Sequence, residues 1–124
     1  MAYTDIDKPS DYFNTKLYTG NGSSGHSITG VGFAPNFVWI KKRDGTPNHF
    51  LFDTVRGVQK ALNSNQNYAE STQSNALTAF GSDGFTVGSD GDVNSGSMVS
   101  WNWKESADAG FDIISYTGNG SSGR

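Results

Sequence analysis

The chain has no cysteine. That removes disulfides, thiolate metal sites and thiol nucleophiles from consideration. Glutamate occurs only at Glu70 and Glu105, and leucine and lysine are scarce. A chain this poor in strong helix formers is not built around helices. No apolar run approaches the length of a membrane-spanning helix. The net charge of -3 offers no basic field for nucleic acid and no polybasic patch for a lipid surface. The opening Met1-Ala2-Tyr3-Thr4-Asp5 lacks the charged-then-apolar pattern of a cleaved signal. The chain therefore reads as a soluble protein without a signal peptide, with no nucleic-acid partner and no membrane insertion.

What is present is glycine, 16 residues of it, together with abundant Ser, Thr, Asn and Asp. Aromatics reach 13%, enough to build a core and to argue against disorder. Strand-like runs recur between turn signals. Residues 13–18 alternate, with Phe13, Thr15 and Leu17 on one face. Phe37-Val38-Trp39-Ile40 is apolar on both faces and reads as a central strand that leaves the core through Lys41-Lys42-Arg43. Residues 48–53 put Phe50 and Phe52 together. Residues 78–87 read as a hairpin around Gly81-Ser82-Asp83-Gly84. Residues 98–103 place Val99, Trp101 and Trp103 on one side and Ser100 and Asn102 on the other. Short strands at about ten-residue spacing predict an all-β, antiparallel sandwich or barrel. Between Asp53 and Tyr68 a short helical stripe through Val55, Val58 and Leu62 competes with a loop, and Gly57 interrupts it.

One pattern organises the chain. Tyr18-Thr19-Gly20-Asn21-Gly22-Ser23-Ser24-Gly25 returns unchanged as Tyr116-Thr117-Gly118-Asn119-Gly120-Ser121-Ser122-Gly123, and Phe13-Asn14 faces Phe111-Asp112 at the same offset. Repetition at domain length predicts an array of folded units rather than a solenoid. The expected division is an extended lead-in over 1–10, a β-sandwich module over 11–110, and over 111–124 the first strand and glycine-rich turn of a second copy. That last strand either completes this domain's sheet or starts the next, and a packed strand is expected.

Gly20-x-Gly22-x-x-Gly25 matches the dinucleotide fingerprint only formally. The chemistry needs a helix to start within the glycines, and His26 to Gly32 has strand and turn character instead. Asp90-Gly91-Asp92-Val93-Asn94 resembles the front of a calcium loop, so Asp90, Asp92 and Asn94 are candidate oxygen ligands and Ca²⁺ the one candidate cofactor. The glycine falls late for that frame, and Asx-rich turns look the same without metal. For catalysis the least poor candidates are Asp53 and Asp112, and His26 and His49 come with no nucleophile elbow. No enzymatic constellation emerges. For binding, the candidates are Trp39, Tyr18 and the polar run Lys42, Arg43, Asp44 and Asn48. Trp39, Trp101 and Trp103 are suited to stacking on sugars, but the company of Val99 assigns Trp101 and Trp103 to the core.

Several runs carry a resemblance: Asp7-Lys8-Pro9-Ser10-Asp11-Tyr12-Phe13, Tyr18-Thr19-Gly20-Asn21-Gly22, Gly30-Val31-Gly32-Phe33-Ala34-Pro35-Asn36-Phe37-Val38-Trp39-Ile40-Lys41, Phe85-Thr86-Val87-Gly88-Ser89 and Trp101-Asn102-Trp103. Together they resemble a repeat module of bacteriophage tail-fibre and related virion proteins, including those of marine phages. The resemblance implies a jelly-roll sandwich similar to concanavalin A-like lectin domains, located in a phage tail or surface appendage. It implies other virion proteins, copies of itself or a host-surface glycan as partners, and it supplies no catalytic motif. The expected role is passive binding or spacing, with a stand-alone lectin and a polysaccharide depolymerase as alternatives. Function would come from loops 44–48, 63–75 and 90–97. Removing residues 110–124 is expected to lower the melting temperature or the solubility. A thermal melt of the shortened chain checks this, and an unchanged curve would mark the segment as dispensable.

Overall fold

The computed structural model describes residues 6–123. Nine strands form two antiparallel sheets, and a single 3₁₀ turn at Pro9–Asp11 provides the only helical geometry among the described residues. The strands are β1 (Phe13–Asn21), β2 (His26–Ile28), β3 (Phe37–Lys42), β4 (Phe50–Asp53), β5 (Lys60–Asn63), β6 (Ser71–Thr72), β7 (Leu77–Gly81), β8 (Gly84–Val87) and β9 (Ser95–Trp103). The large sheet runs β1-β9-β3-β4-β5-β6 and the small one β2-β8-β7. The all-β expectation and the sandwich of two sheets hold.

The core lies between the sheets. Val38, Ile40, Phe50, Phe52 and Met98 from the large sheet meet Ile28, Leu77, Phe85 and Val87 from the small one, all at most 4% exposed. Phe50 and Phe52 stack at 5.9 Å between ring centroids. Alternation in β4 sends both rings inward, as the sequence pattern requires. Each such side chain contributes about 1.5–3 kcal/mol through removal from water.

Strand β9 is the spine. It pairs with β1 over nine residues, from Phe13↔Trp103 to Asn21↔Ser95. Its other edge pairs with β3 from Phe37↔Trp103 to Lys42↔Met98. At the far end of the β1 pairing the chains approach unusually closely. A Cβ on Gly20 would sit 2.1 Å from the backbone nitrogen of Ser95, so only glycine fits there. Tyr18 donates its hydroxyl to the Val93 carbonyl at 2.6 Å. Buried Asn94 closes the corner: its Oδ1 accepts from the Asn21 amide at 3.0 Å, and its Nδ2 donates to the carbonyls of Ser23 (2.9 Å) and Gly88 (2.7 Å).

Three expectations require correction. Residues 1–5 of the lead-in lie outside the described residues, and its end is not extended: Pro9 starts the 3₁₀ turn, closed by Tyr12 N–H to Pro9 O at 3.0 Å. Only Lys8 keeps the extended backbone that a following proline favours. The helical stripe over 53–68 does not form. Val55 and Val58 are 46% and 40% exposed in turns, and Leu62 belongs to β5, because Gly57 takes φ +96 where a helix cannot continue. Finally, no strand forms over residues 111–116. Phe111 makes one isolated bridge to Ser106, and residues 112–119 lie outside any strand. The edge of β9 that a copy of β1 would pair with is already taken by β1.

Gly20→Ala is expected to destabilise the protein by about 1–3 kcal/mol, the usual penalty of overpacking. A urea denaturation curve with unchanged slope and a lowered midpoint is the check.

Candidate functional site

The most distinctive surface is the outer face of the large sheet. In β9, Met98, Ser100 and Asn102 point inward and are fully buried or nearly so. Val99, Trp101 and Trp103 therefore face out. The pairing registers extend this face across three strands. One row reads Phe13, Trp103, Phe37, and the next reads Thr15, Trp101, Trp39, Leu51. Phe13 and Trp103 lie 4.8 Å apart between centroids, Phe37 and Trp103 5.2 Å, and Trp39 and Trp101 5.4 Å. All three indoles thus share one apolar face that the small sheet does not cover.

This overturns the core assignment of Trp101 and Trp103. Alternation identifies which residues share a face but not which face is inside. The inward positions of β9 hold Ser100 and Asn102, and Asn102 is tied to the Asn14 carbonyl at 3.1 Å. Core volume at these rows comes instead from Val38, Ile40, Phe50 and Phe52.

The C-terminal segment covers part of the outer face. Phe111 stacks on Trp103 (6.2 Å, 24° between planes) and meets Phe37 edge-on at 6.2 Å. Residues 113–116 then line a shallow groove with Asp53, Arg56 and Leu62. Beyond the segment's first ring, Trp39 retains one unusual feature. Its Nε1 is buried and has no hydrogen-bond acceptor among the described residues. A buried N–H without a partner is uncommon in native proteins and asks for an oxygen atom supplied by water or a ligand. His49 flanks Trp39 at 6.3 Å. Burial, with Lys41 alongside, holds its imidazole below the ordinary histidine pKa.

The sequence-derived binding residues do not converge. Trp39 is on the outer face. Tyr18 is on the inner face, edge-on to Phe85 and His26, with burial raising its phenol pKa far above the ordinary value. Lys42 reaches Ser95 Oγ at 3.0 Å, and Arg43 is exposed and joins β9 through its backbone N–H to Ser97 O at 2.7 Å. Asp44 accepts the Ser97 N–H at 2.8 Å and packs against Gly96, so it braces the turn. Asn48 accepts from Asn65 and Gln66 and ties two loops together. These residues are mainly structural anchors around β9. The residues that alternation could have indicated, and did not, are Trp101, Trp103 and Phe37.

The loop carrying Asp90, Asp92 and Asn94 does not gather three oxygens. Asn94 is turned wholly inward, where its Oδ1 also lies 2.7 Å from His26 Nδ1. Since Nδ2 of Asn94 is donating elsewhere, His26 Nδ1 carries the proton in this contact. Asp90 Oδ1 accepts the Asp92 N–H at 2.9 Å as an Asx turn. Burial, then the neighbouring Asp90 charge, raises the Asp92 pKa. No cluster of three His, Cys, Asp or Glu suited to a metal occurs among the described residues. The candidate catalytic acid Asp53 is 3% exposed and held by Arg56, whose Nε lies 2.5 Å away and whose Nη1 also reaches Glu70 at 3.3 Å. Asp112 is exposed and accepts the Ile113 N–H at 2.9 Å.

The Ser97 amide, followed in effect by the charge of Lys42, outweighs burial and lowers the Asp44 pKa. The folded state therefore holds this proton less readily than the unfolded chain. The Asp44 contribution is complete above the ordinary carboxylate range and is lost as pH falls through it toward the lowered folded value. Asp44→Asn is expected to flatten that part of the stability–pH curve, with a smaller difference from wild type at low pH than at neutrality. Urea midpoints measured from pH 7 down to pH 3 check this.

Among the described residues no helix is long and apolar enough to cross a membrane. Neither a curated protein nor a solved structure matches the chain. A family model described as a domain of unknown function, DUF7483, matches residues 8–124, and on that span the chain belongs to the DUF7483 family.

Proposed function

We propose that the chain is a non-catalytic structural module of a bacteriophage virion, part of a tail fibre or host-contacting appendage, that acts by passive binding or spacing. Synthesis in the host cytoplasm, and other virion proteins or copies of itself as neighbours, belong to the same reading. The observation that carries it is the repetition of β1 as residues 111–123, one module length later. That is the mark of a protein assembled from tandem units, and it accompanies the likeness of the motif runs to tail-fibre repeats. The jelly-roll, concanavalin A-like form fits a chain that alternates between sheets: β1 in the large one, β2 in the small, β3 to β6 in the large, β7 and β8 in the small, β9 in the large. The capture of Asp53 and Glu70 by one arginine favours this reading over a depolymerase.

A second reading has its own observation. The outer face presents Trp39, Trp101 and Trp103 together, with the partnerless Nε1 of Trp39. Aromatic faces suit the apolar side of a pyranose, and the N–H suits a hydroxyl. Under this reading the module binds a host cell-surface glycan.

The tests are separable. An antibody raised against the purified chain is expected to label an appendage of the encoding phage in electron micrographs. Unlabelled particles, with the gene lying apart from baseplate and tail genes, would reject the virion role. An array of bacterial surface polysaccharides tests the glycan role. A hit that quenches tryptophan fluorescence and is lost in Trp39→Ala supports it, and complete silence leaves the spacer role.

A further inference from the structure

The C-terminal segment repeats β1, yet apart from the contact of Phe111 with Trp103 its surroundings differ from those of β1. Gly20 is glycine because β9 leaves no room for a Cβ. A Cβ on Gly118, its twin, would meet nothing within 4 Å, and its backbone is not in the left-handed region. Nothing around Gly118 accounts for its being glycine. Tyr18 is packed inside with its hydroxyl on Val93, whereas Tyr116 is 75% exposed. Asn21 is locked to Asn94, whereas Asn119 lies in an exposed stretch outside any strand.

The turn nevertheless has its β1 geometry. Asn21 Oδ1 accepts the Ser23 N–H at 2.8 Å, and Asn119 Oδ1 accepts the Ser121 N–H at 3.0 Å. Gly22 and Gly25 adopt φ of +69 and +81, and Gly120 and Gly123 adopt +74 and +77. The first turn is held by contacts with β8 and the 93–95 loop, from Gly25 N–H to Val87 O at 3.1 Å and from Gly22 N–H to Asn94 O at 2.8 Å. The second adopts the same shape without such support.

From this we infer that residues 111–123, with their turn already shaped, become the first strand of a second module of this fold, in the β1 position. Its partner is a strand shaped like β9, preceded by a loop shaped like residues 93–95, with a bare backbone across from Gly118 and an Asn94-like carboxamide to take Asn119. The inference deepens the modular reading and rests on it for the existence of that second module. The partner has two sources, a following module in the same polypeptide or a second chain. A covalently following module has the advantage of high effective concentration.

The test uses a tandem chain in which residues 1–123 are followed directly by residues 26–123. The second copy then has no preceding β1 except residues 111–119. Two-dimensional amide NMR is expected to show a second dispersed set of resonances for the repeated residues. Gly118→Val is expected to leave the melting temperature of the single chain unchanged. In the tandem chain it should lower the melting of the second copy at least as much as Gly20→Ala lowers the first. Light scattering assigns the source: a monomer places the strand in the following module, and a dimer places it in a second chain. Collapse of the second copy's resonances into the unfolded range overturns the inference, as does a tandem chain indifferent to Gly118→Val. Either failure leaves the labelling and glycan results standing.

Discussion

Strand β9 is hydrogen-bonded along both edges, and the sheet takes its shape from that constraint. On one edge β1 must come close enough that Gly20 has no space for a side chain. On the other, β3 must match it from Trp103 to Met98. Asn94, at the entry to β9, satisfies backbone groups of Asn21, Ser23 and Gly88 with one carboxamide. The first turn of the chain, the exit of the small sheet and the start of the central strand are thereby fixed to one another. A fully satisfied buried amide of this kind specifies a single arrangement more strongly than apolar packing does.

The two faces of β9 then have different duties. Inward, Met98 joins the core, and Asn102 joins β9 to β1 through the Asn14 carbonyl. Outward, Trp101 and Trp103 combine with Phe13, Phe37 and Trp39 into one aromatic field. The field is apolar on a sheet whose other side already carries the core. It is partly occupied by the chain's own Phe111, which shows that it accepts a flat ring.

Much of this was legible in the sequence, and the failures have a common cause. Period-two alternation located β1, β3, β4, the β7–β8 hairpin and β9, because those strands are long or flanked by strong turn residues. The short strands β5 and β6 carry no such pattern and were hidden in a polar stretch. The face of β9 is not legible in this way, because an apolar side chain on a strand need not face the core. In a sheet of six strands covered by only three, the outer face can be the more aromatic one. Residue type marks Tyr18 and Asp44 as candidate binding residues and Asn94 as a candidate metal ligand. Their polar atoms, however, satisfy backbone partners at 2.6–3.0 Å, a role that residue type alone does not distinguish from ligand binding.

The twin segments separate two reasons for a residue to be what it is. At Gly20 the reason is a backbone less than a van der Waals distance from any side chain that could grow there. At Gly118 the same residue stands in open space with an ordinary backbone, near a tyrosine whose counterpart is half-buried. Local conformation explains Gly120 and Gly123, whose positive φ keeps the turn. It does not explain Gly118 or the exposed ring of Tyr116. Sequence identity that exceeds what the immediate surroundings require implies a constraint imposed by another surface. The contacts of β1 describe that surface: a carboxamide for the asparagine and a bare backbone across from the glycine.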